Sequence, residues 1–311
     1  MIKILVTGGA GYIGSVLIPK LLSKNFSVIC LDNFIFTQFT LSECCKYENF
    51  KMIHGDVRDK SLIKELLKDV EFIIPLAALV GAPLCDKDPF GAQTINADSI
   101  EMMNELVNKD QKIIMPVSNS GYGVSTDGKP CTEESPLNPV SLYGITKVKA
   151  EKLVMERENS ISFRLATVFG FSPRMRLDLL VNDFVYRAFY EKSILIFEGH
   201  FKRNYIHIQD VTDAIVYSLE NFQKMKSNIF NLGLEEANLS KLELANLIKK
   251  FIPDFKIVQS EYGKDPDKRN YIVSNKKIND IGFLPSWSLE KGIKELVRGM
   301  PLLGKKKFSN I

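Results

Sequence analysis

The chain is poor in the residues that build metal centres and disulfide frameworks. It has three histidines, His54, His200 and His207, along 311 residues, and five cysteines, Cys30, Cys44, Cys45, Cys85 and Cys131. An odd cysteine count, with two adjacent and none in a C-x-x-C pair, argues against a disulfide framework and a thiolate zinc site. It fits a reducing cytoplasm. With histidines so few and so scattered, no metal site is expected. Long hydrophobic runs are missing too. The longest, FIIPLAALV, has nine residues and a proline, too short to span a bilayer. Charge of one sign is scarce: a net charge of +4 gives no argument for nucleic acid or a membrane surface as a partner. The basic tail GKKKFSNI reads as a solvated terminus. The opening residues IKILVTGG read as a strand rather than a signal peptide.

What is present is an ordinary globular balance, 45% hydrophobic and 25% charged, in a length that allows one large α/β unit or two lobes. Short continuous apolar runs alternate with helical patterns through the first half. KILVTGG precedes SVLIPKLLSKN, FKMIHGD precedes SLIKELLKDV, and KIIMPVSNS precedes LYGITKVKAEKLVMERE. That alternation predicts an α/β fold with a doubly wound parallel sheet, binding its ligand beyond the carboxyl ends of the strands. After Gly170 the pattern loosens. The expected division is a dinucleotide-binding unit over 1–170, with 205–230 returning to it, and a smaller interleaved lobe over 171–204 and 231–311. Ser240 is the expected cap of the helix LSKLELANLIKKF.

TGGAGYIGS lies between the first strand and the first helix. Gly8, Gly11 and Gly14 let the backbone turn tightly and approach a pyrophosphate, and the helix start offers free N–H groups. The strand–loop–helix context gives this glycine pattern its weight, because a plain turn gains nothing from three glycines. Asp32 ends the second strand, 18 residues after Gly14. A carboxylate there can accept from an adenosine ribose and repel a 2′-phosphate, so NAD is favoured over NADP. Tyr12 and Ile13 in the loop, and Asn33 beside Asp32, join the candidate cofactor residues. Tyr143 and Lys147 are four apart on a predicted helix and so share one face. A free phenol has a pKa of about 10, and a nearby ammonium together with the positive nicotinamide of NAD is expected to bring it closer to working pH.

With YGITK at 143–147, the glycine loop resembles that of the extended short-chain dehydrogenase/reductases. Within that superfamily the chain looks like the NAD-dependent epimerase/dehydratase family, which acts on nucleotide sugars. GDVRD (55–59), LAA (76–78), RNYIHIQDV (203–211) and FNLG (230–233) match family landmarks in order, so the resemblance covers nearly the whole chain. It implies NAD as cofactor, Asp56 and Val57 at the adenine, and Ala77 and Ala78 along the cofactor. Aligned through the Tyr-Gly pair, SNSGYG puts Ser118 at the catalytic Ser/Thr position, 25 residues before Tyr143. The family's 4,6-dehydratases carry an Asp-Glu pair in the next two positions. Here these are Asn119 and Ser120, which cannot serve as acids near neutral pH, so oxidation at one carbon without elimination is expected. Ser120 could compete with Ser118. The resemblance implies that Tyr143 takes the proton of a sugar hydroxyl, most simply at C4, while Ser118 holds the oxygen and Lys147 the nicotinamide ribose.

On the substrate side, family position assigns Asn182 to the sugar diphosphate and Arg203 to phosphate, which an arginine's planar fork suits. Arg269 is the nearest match to a later family arginine, in a departed register. Arg174 and Arg176 are weaker candidates for phosphate, equally well explained by surface salt bridges. His207 is assigned to the core or a strand end. PLAALVGAPLCDKDP and SPRMRLDLLVNDF look like a subgroup that includes capsule GDP-heptose C4 dehydrogenases, which implies surface-polysaccharide sugar biosynthesis. The family commonly dimerises through two helices per subunit, here ADSIEMMNELVNK and the Tyr143 helix, so a homodimer is expected. A stripe of Met102, Met103 and Leu106 could serve that interface or the core. Two readings compete: a 4-keto-sugar reductase, and a non-catalytic NAD-binding regulator on the same fold.

Overall fold

The computed structural model describes residues 1–36, 39–124, 128–260, 262, 269–305 and 308–310. Seven parallel strands form the central sheet. They belong to the chain-ordered set β1 (Lys3–Thr7), β2 (Ser27–Asp32), β3 (Phe50–His54), β4 (Phe72–Pro75), β5 (Lys112–Ser118), β6 (Ser160–Leu165), β7 (Thr167–Phe169), β8 (Ser193–Phe197), β9 (Lys202–His207), β10 (Asn228–Leu232), β11 (Asn238–Ser240) and β12 (Lys256–Ser260). The sheet order is β10-β6-β5-β4-β1-β2-β3. From β1 the chain winds first toward β3 and then, after β4, toward β10. The winding reverses between β1 and β4, where a doubly wound sheet opens a crevice at its carboxyl edge.

Continuous apolar strands are needed because the sheet is covered on both faces. Ile4 and Val6 of β1 enter one core, and Leu5 between them enters the other. Phe72 and Ile74 of β4 join the first core and Ile73 the second. Local chemistry fixes the covering helices. Asp59 accepts from the N–H groups of Ser61 and Leu62 to start Lys60–Leu66, and Ser141 accepts from Gly144 to start Leu142–Met155. Ser240 caps Lys241–Lys249 as expected, in a reciprocal capping box with Glu243.

The remaining strands make two small sheets, β11-β9-β7 and β12-β8. The segment returning to the main sheet is helix Ile208–Glu220 followed by edge strand β10. Lys20 of the first helix, Gly14–Ser23, reaches across to Asp213 of that returning helix at 2.6 Å. Tyr205 stays in the small sheet with β9, and so does β7, which pairs with β9 rather than with the main sheet. The return therefore begins at Ile208. No helix among the described residues is long and apolar enough to cross a membrane.

Candidate active site

A cavity of about 930 Å³ runs along the carboxyl edge of the sheet. Gly8, Asp32, Ala77, Ser118 and Leu165, at or just beyond the ends of β1, β2, β4, β5 and β6, line it. One end is the glycine loop. Gly8 has φ +67°, and a Cβ there would lie 2.5 Å from the Ala77 backbone nitrogen, so only glycine suits the turn. The Gly11 N–H donates back to the Gly8 carbonyl. Among the described residues nothing accepts from the N–H groups of Tyr12 and Ile13, which stand at the start of helix Gly14–Ser23. Open donors at a helix start, beside walls that leave no room for a Cβ, fit a pyrophosphate.

Asp32 also lines this end. Its Oδ2 accepts from the Ala10 N–H (2.9 Å) and its Oδ1 from the Phe34 N–H (2.8 Å), which pins both adjoining loops. Asn33, Asp56, Val57, Ala77 and Ala78 lie on the same wall. Asp56 is held by Arg58 at 2.6 Å, and that hydrogen bond keeps its carboxyl below the usual range.

At the middle of the cavity Tyr143 and Lys147, one turn apart on helix Leu142–Met155, meet Ser118 from the end of β5. The Ser118 hydroxyl also accepts from the Ser120 N–H at 3.2 Å, which fixes its place at the strand end. Lys147 is 6% exposed. Among the described residues its ammonium makes no hydrogen bond or ion pair. Burial pushes its pKa down to about 8, and the Glu151 carboxylate works against that fall. A buried, unpaired ammonium next to a phenol fits a ribose hydroxyl pair as its partner. The Tyr143 phenol, however, is shifted upward. Burial dominates, while Arg176, Arg269 and the Ser118 hydrogen bond pull it down less strongly. The lowering expected from the sequence joins the positive nicotinamide of bound NAD to the lysine; among the protein groups alone, burial of the ring dominates.

Arg174, Arg176, Arg187, Arg203 and Arg269 also line the cavity. Arg203 is buried and donates to the Lys202 carbonyl at 2.8 Å. Arg174 and Arg176, the weaker phosphate candidates that surface salt bridges would explain equally well, are buried, 2% and 7% exposed. Arg174 stacks on Phe36 and donates to Asn310 Oδ1 at 2.7 Å, and burial lowers its pKa to about 10. Arg176 pairs with Asp178 at 2.5 Å. The adjacent arginines of SPRMRLD were visible in the sequence. Their contacts with Phe36 and with Asn310 were not.

Three expected substrate residues are elsewhere. Asn182 is fully buried. Its amide accepts from the Gly170 N–H and donates to the Tyr12 hydroxyl and the Arg176 carbonyl, so it props the glycine loop against the substrate segment and does not face the cavity. Tyr12 completes that link by donating to the Gly170 carbonyl at 2.8 Å. Asn119 and Ser120 are buried behind Ser118, off the cavity wall, because the chain turns into a short 3₁₀ helix over Asn119–Tyr122. Ser120 therefore does not compete with Ser118. His207 is in the core at the end of β9, stacked on Trp287 and hydrogen-bonded to Glu295 at 2.8 Å.

Residues 4–233 match the model of the NAD dependent epimerase/dehydratase family. The chain belongs to that family; it is an enzyme, and NAD is its cofactor. Over its length it is similar to a low-salt glycan biosynthesis protein of Haloferax volcanii, 27% identical over 94% of this chain and 97% of the relative. Among solved structures it is similar to a UDP-glucuronic acid 4-epimerase of Bacillus cereus in complex with UDP-glucuronic acid and NAD. That likeness has 25% identity and a TM-score of 0.84 over 97% of this chain and 100% of that one. A UDP-glucose 4-epimerase of Thermotoga maritima, with UDP-glucose, gives 25% identity and a TM-score of 0.84 over 97% and 99%.

Proposed function

We propose that the chain oxidises the C4 hydroxyl of a nucleotide-diphosphate sugar, giving the 4-keto sugar or, after return of the hydride, its C4 epimer. The observation that carries this reading is the meeting of Ser118, Tyr143 and Lys147 on the wall of one cavity. That cavity also has the open loop N–H groups and several arginines on its wall. The arginines suit a diphosphate, since guanidinium pairs bidentately with phosphate oxygens. Relatives that bind UDP-glucuronic acid and UDP-glucose support the substrate class.

In this reading Tyr143 Oη takes the hydroxyl proton. Ser118 Oγ donates a hydrogen bond to the sugar oxygen as it becomes a carbonyl. Lys147 holds the ribose of the cofactor and keeps positive charge near Tyr143. Bound NAD supplies the acceptor for the hydride. Burial raises the Tyr143 pKa, and the positive ring of bound NAD together with Lys147 would lower it toward working pH. No carboxylate replaces Asn119 or Ser120, so elimination of water has no acid at that position. The active unit is proposed to be a homodimer, working in the cytoplasm on a surface-polysaccharide sugar. Arg203 and Arg269, with Arg174 and Arg176, are proposed to take the diphosphate.

The test is mass spectrometry of GDP-, UDP- and dTDP-sugars after incubation with the protein and NAD. A product two hydrogens lighter, or a new isomer of unchanged mass, is expected. Loss of water would overturn the reading.

A further inference from the structure

Behind the cavity, a buried ion pair stands in line with the two residues of the Tyr143 helix that face it. Tyr143, Lys147 and Glu151 are spaced four apart, so their side chains follow one face of helix Leu142–Met155. Glu151 is 2% exposed and Arg164, from β6, is 4% exposed. Arg164 Nε lies 3.1 Å from both carboxylate oxygens of Glu151, and Nη2 lies 2.9 Å from Oε2. Ser162 Oγ donates to Oε1 at 2.8 Å. The last guanidinium nitrogen of Arg164 donates to the Tyr122 hydroxyl and the Glu133 carbonyl, both at 3.0 Å. Tyr122 is in turn hydrogen-bonded to Asn231 Oδ1 at 2.6 Å. Every polar atom of this pair is therefore satisfied and its geometry is fixed from the sheet side.

We propose that Glu151 is a positioning residue for the reaction: its carboxylate, locked by Arg164 and Ser162, keeps the buried Lys147 ammonium charged and in place beside Tyr143. The inference rests on the functional reading above for its consequence, though not for its test. A buried ion pair contributes little net stability compared with apolar residues of the same shape, so holding a sheet and a helix together does not explain it well. Placing a fixed negative charge one turn below a desolvated lysine does. The charged and titratable groups acting on Lys147 are Glu151 on its own helix and Cys85 on helix Ala82–Lys87; Tyr143, one turn away on the same helix, lines the same cavity. Arg164 on β6 stands on the far side of the Glu151 carboxylate, and Glu151 is the largest charge acting to keep the proton on Lys147.

The experiment is pH-dependent acetylation of the full-length protein with acetic anhydride, with Lys147 read by peptide mass spectrometry. No sugar is needed, so failure of this proposal and failure of the substrate reading are distinguishable. Because only the neutral amine reacts, the midpoint of labelling follows loss of the Lys147 proton. In the wild-type protein it is expected near pH 8. In Glu151→Gln it should fall by about one pH unit, since the opposing charge is gone. Glu151→Asp should restore most of the shift. If Glu151→Gln does not fold because Arg164 is left uncompensated, the double variant Glu151→Leu/Arg164→Met replaces both charges with apolar groups of similar size. It should show the same fall. An unchanged midpoint in Glu151→Gln or in the double variant would overturn the proposal and leave the pair as a structural anchor.

Discussion

Tyr143 is the side chain on which the proposed chemistry depends, and its surroundings act on it in opposite directions. Burial raises its pKa, while Arg176, Arg269 and Ser118 lower it. Replacing Tyr143 with Phe keeps the ring and removes the acid–base group. The rate constant for sugar oxidation should fall by about 100- to 10,000-fold, with the thermal midpoint little changed. Steady-state kinetics beside a melting curve checks both. Helix spacing put Tyr143 and Lys147 on one face, and the family resemblance of SNSGYG pointed to Ser118; all three line one cavity. Asn182 and Asn119 were not legible in this way. Their orientation depends on partners such as Tyr12, 170 positions away, and on a 3₁₀ turn that no periodicity announces. Arg174 shows the same limit, since its neighbours Phe36 and Asn310 lie at opposite ends of the chain.

Among the elements, the first β-α-β unit is the most constrained. Gly8 must hold φ +67° against the Ala77 backbone, and a Cβ has no room to relax there. Gly8→Ala should lower stability by about 1–3 kcal/mol through strain and overpacking. Urea unfolding should show that loss, and NAD binding should weaken with it. The main-sheet strands could be read in advance because burial on both faces demands unbroken apolar runs. The shortest strands could not: β7 and β11 have three residues each, too few to set a period. The return to the main sheet was recognisable as a strand and helix. Its start was not, because β9 leads straight into helix Ile208–Glu220 without a breaker.

For the whole molecule, the same helices that carry the site bear on assembly. Met103 of helix Ser99–Leu106 is in the core, and Met102 and Leu106 pack against it. The methionine stripe is thus spent within the subunit. The proposed homodimer has to use the outer surfaces of this helix and its neighbour, where Ile145 stays 52% exposed. Light scattering should give twice the mass of one 35.2 kDa chain, and a single-chain mass at working concentration would refute the dimer. The central claim is a hydride transfer at C4 of a nucleotide sugar. Its most direct test is to run the reaction in D2O with the sugar found to turn over, and to weigh the product. The account predicts a product two hydrogens lighter, or an isomer with no carbon-bound deuterium at C4. An isomer carrying deuterium at C4 would mean proton exchange with solvent in place of hydride transfer, and would contradict it.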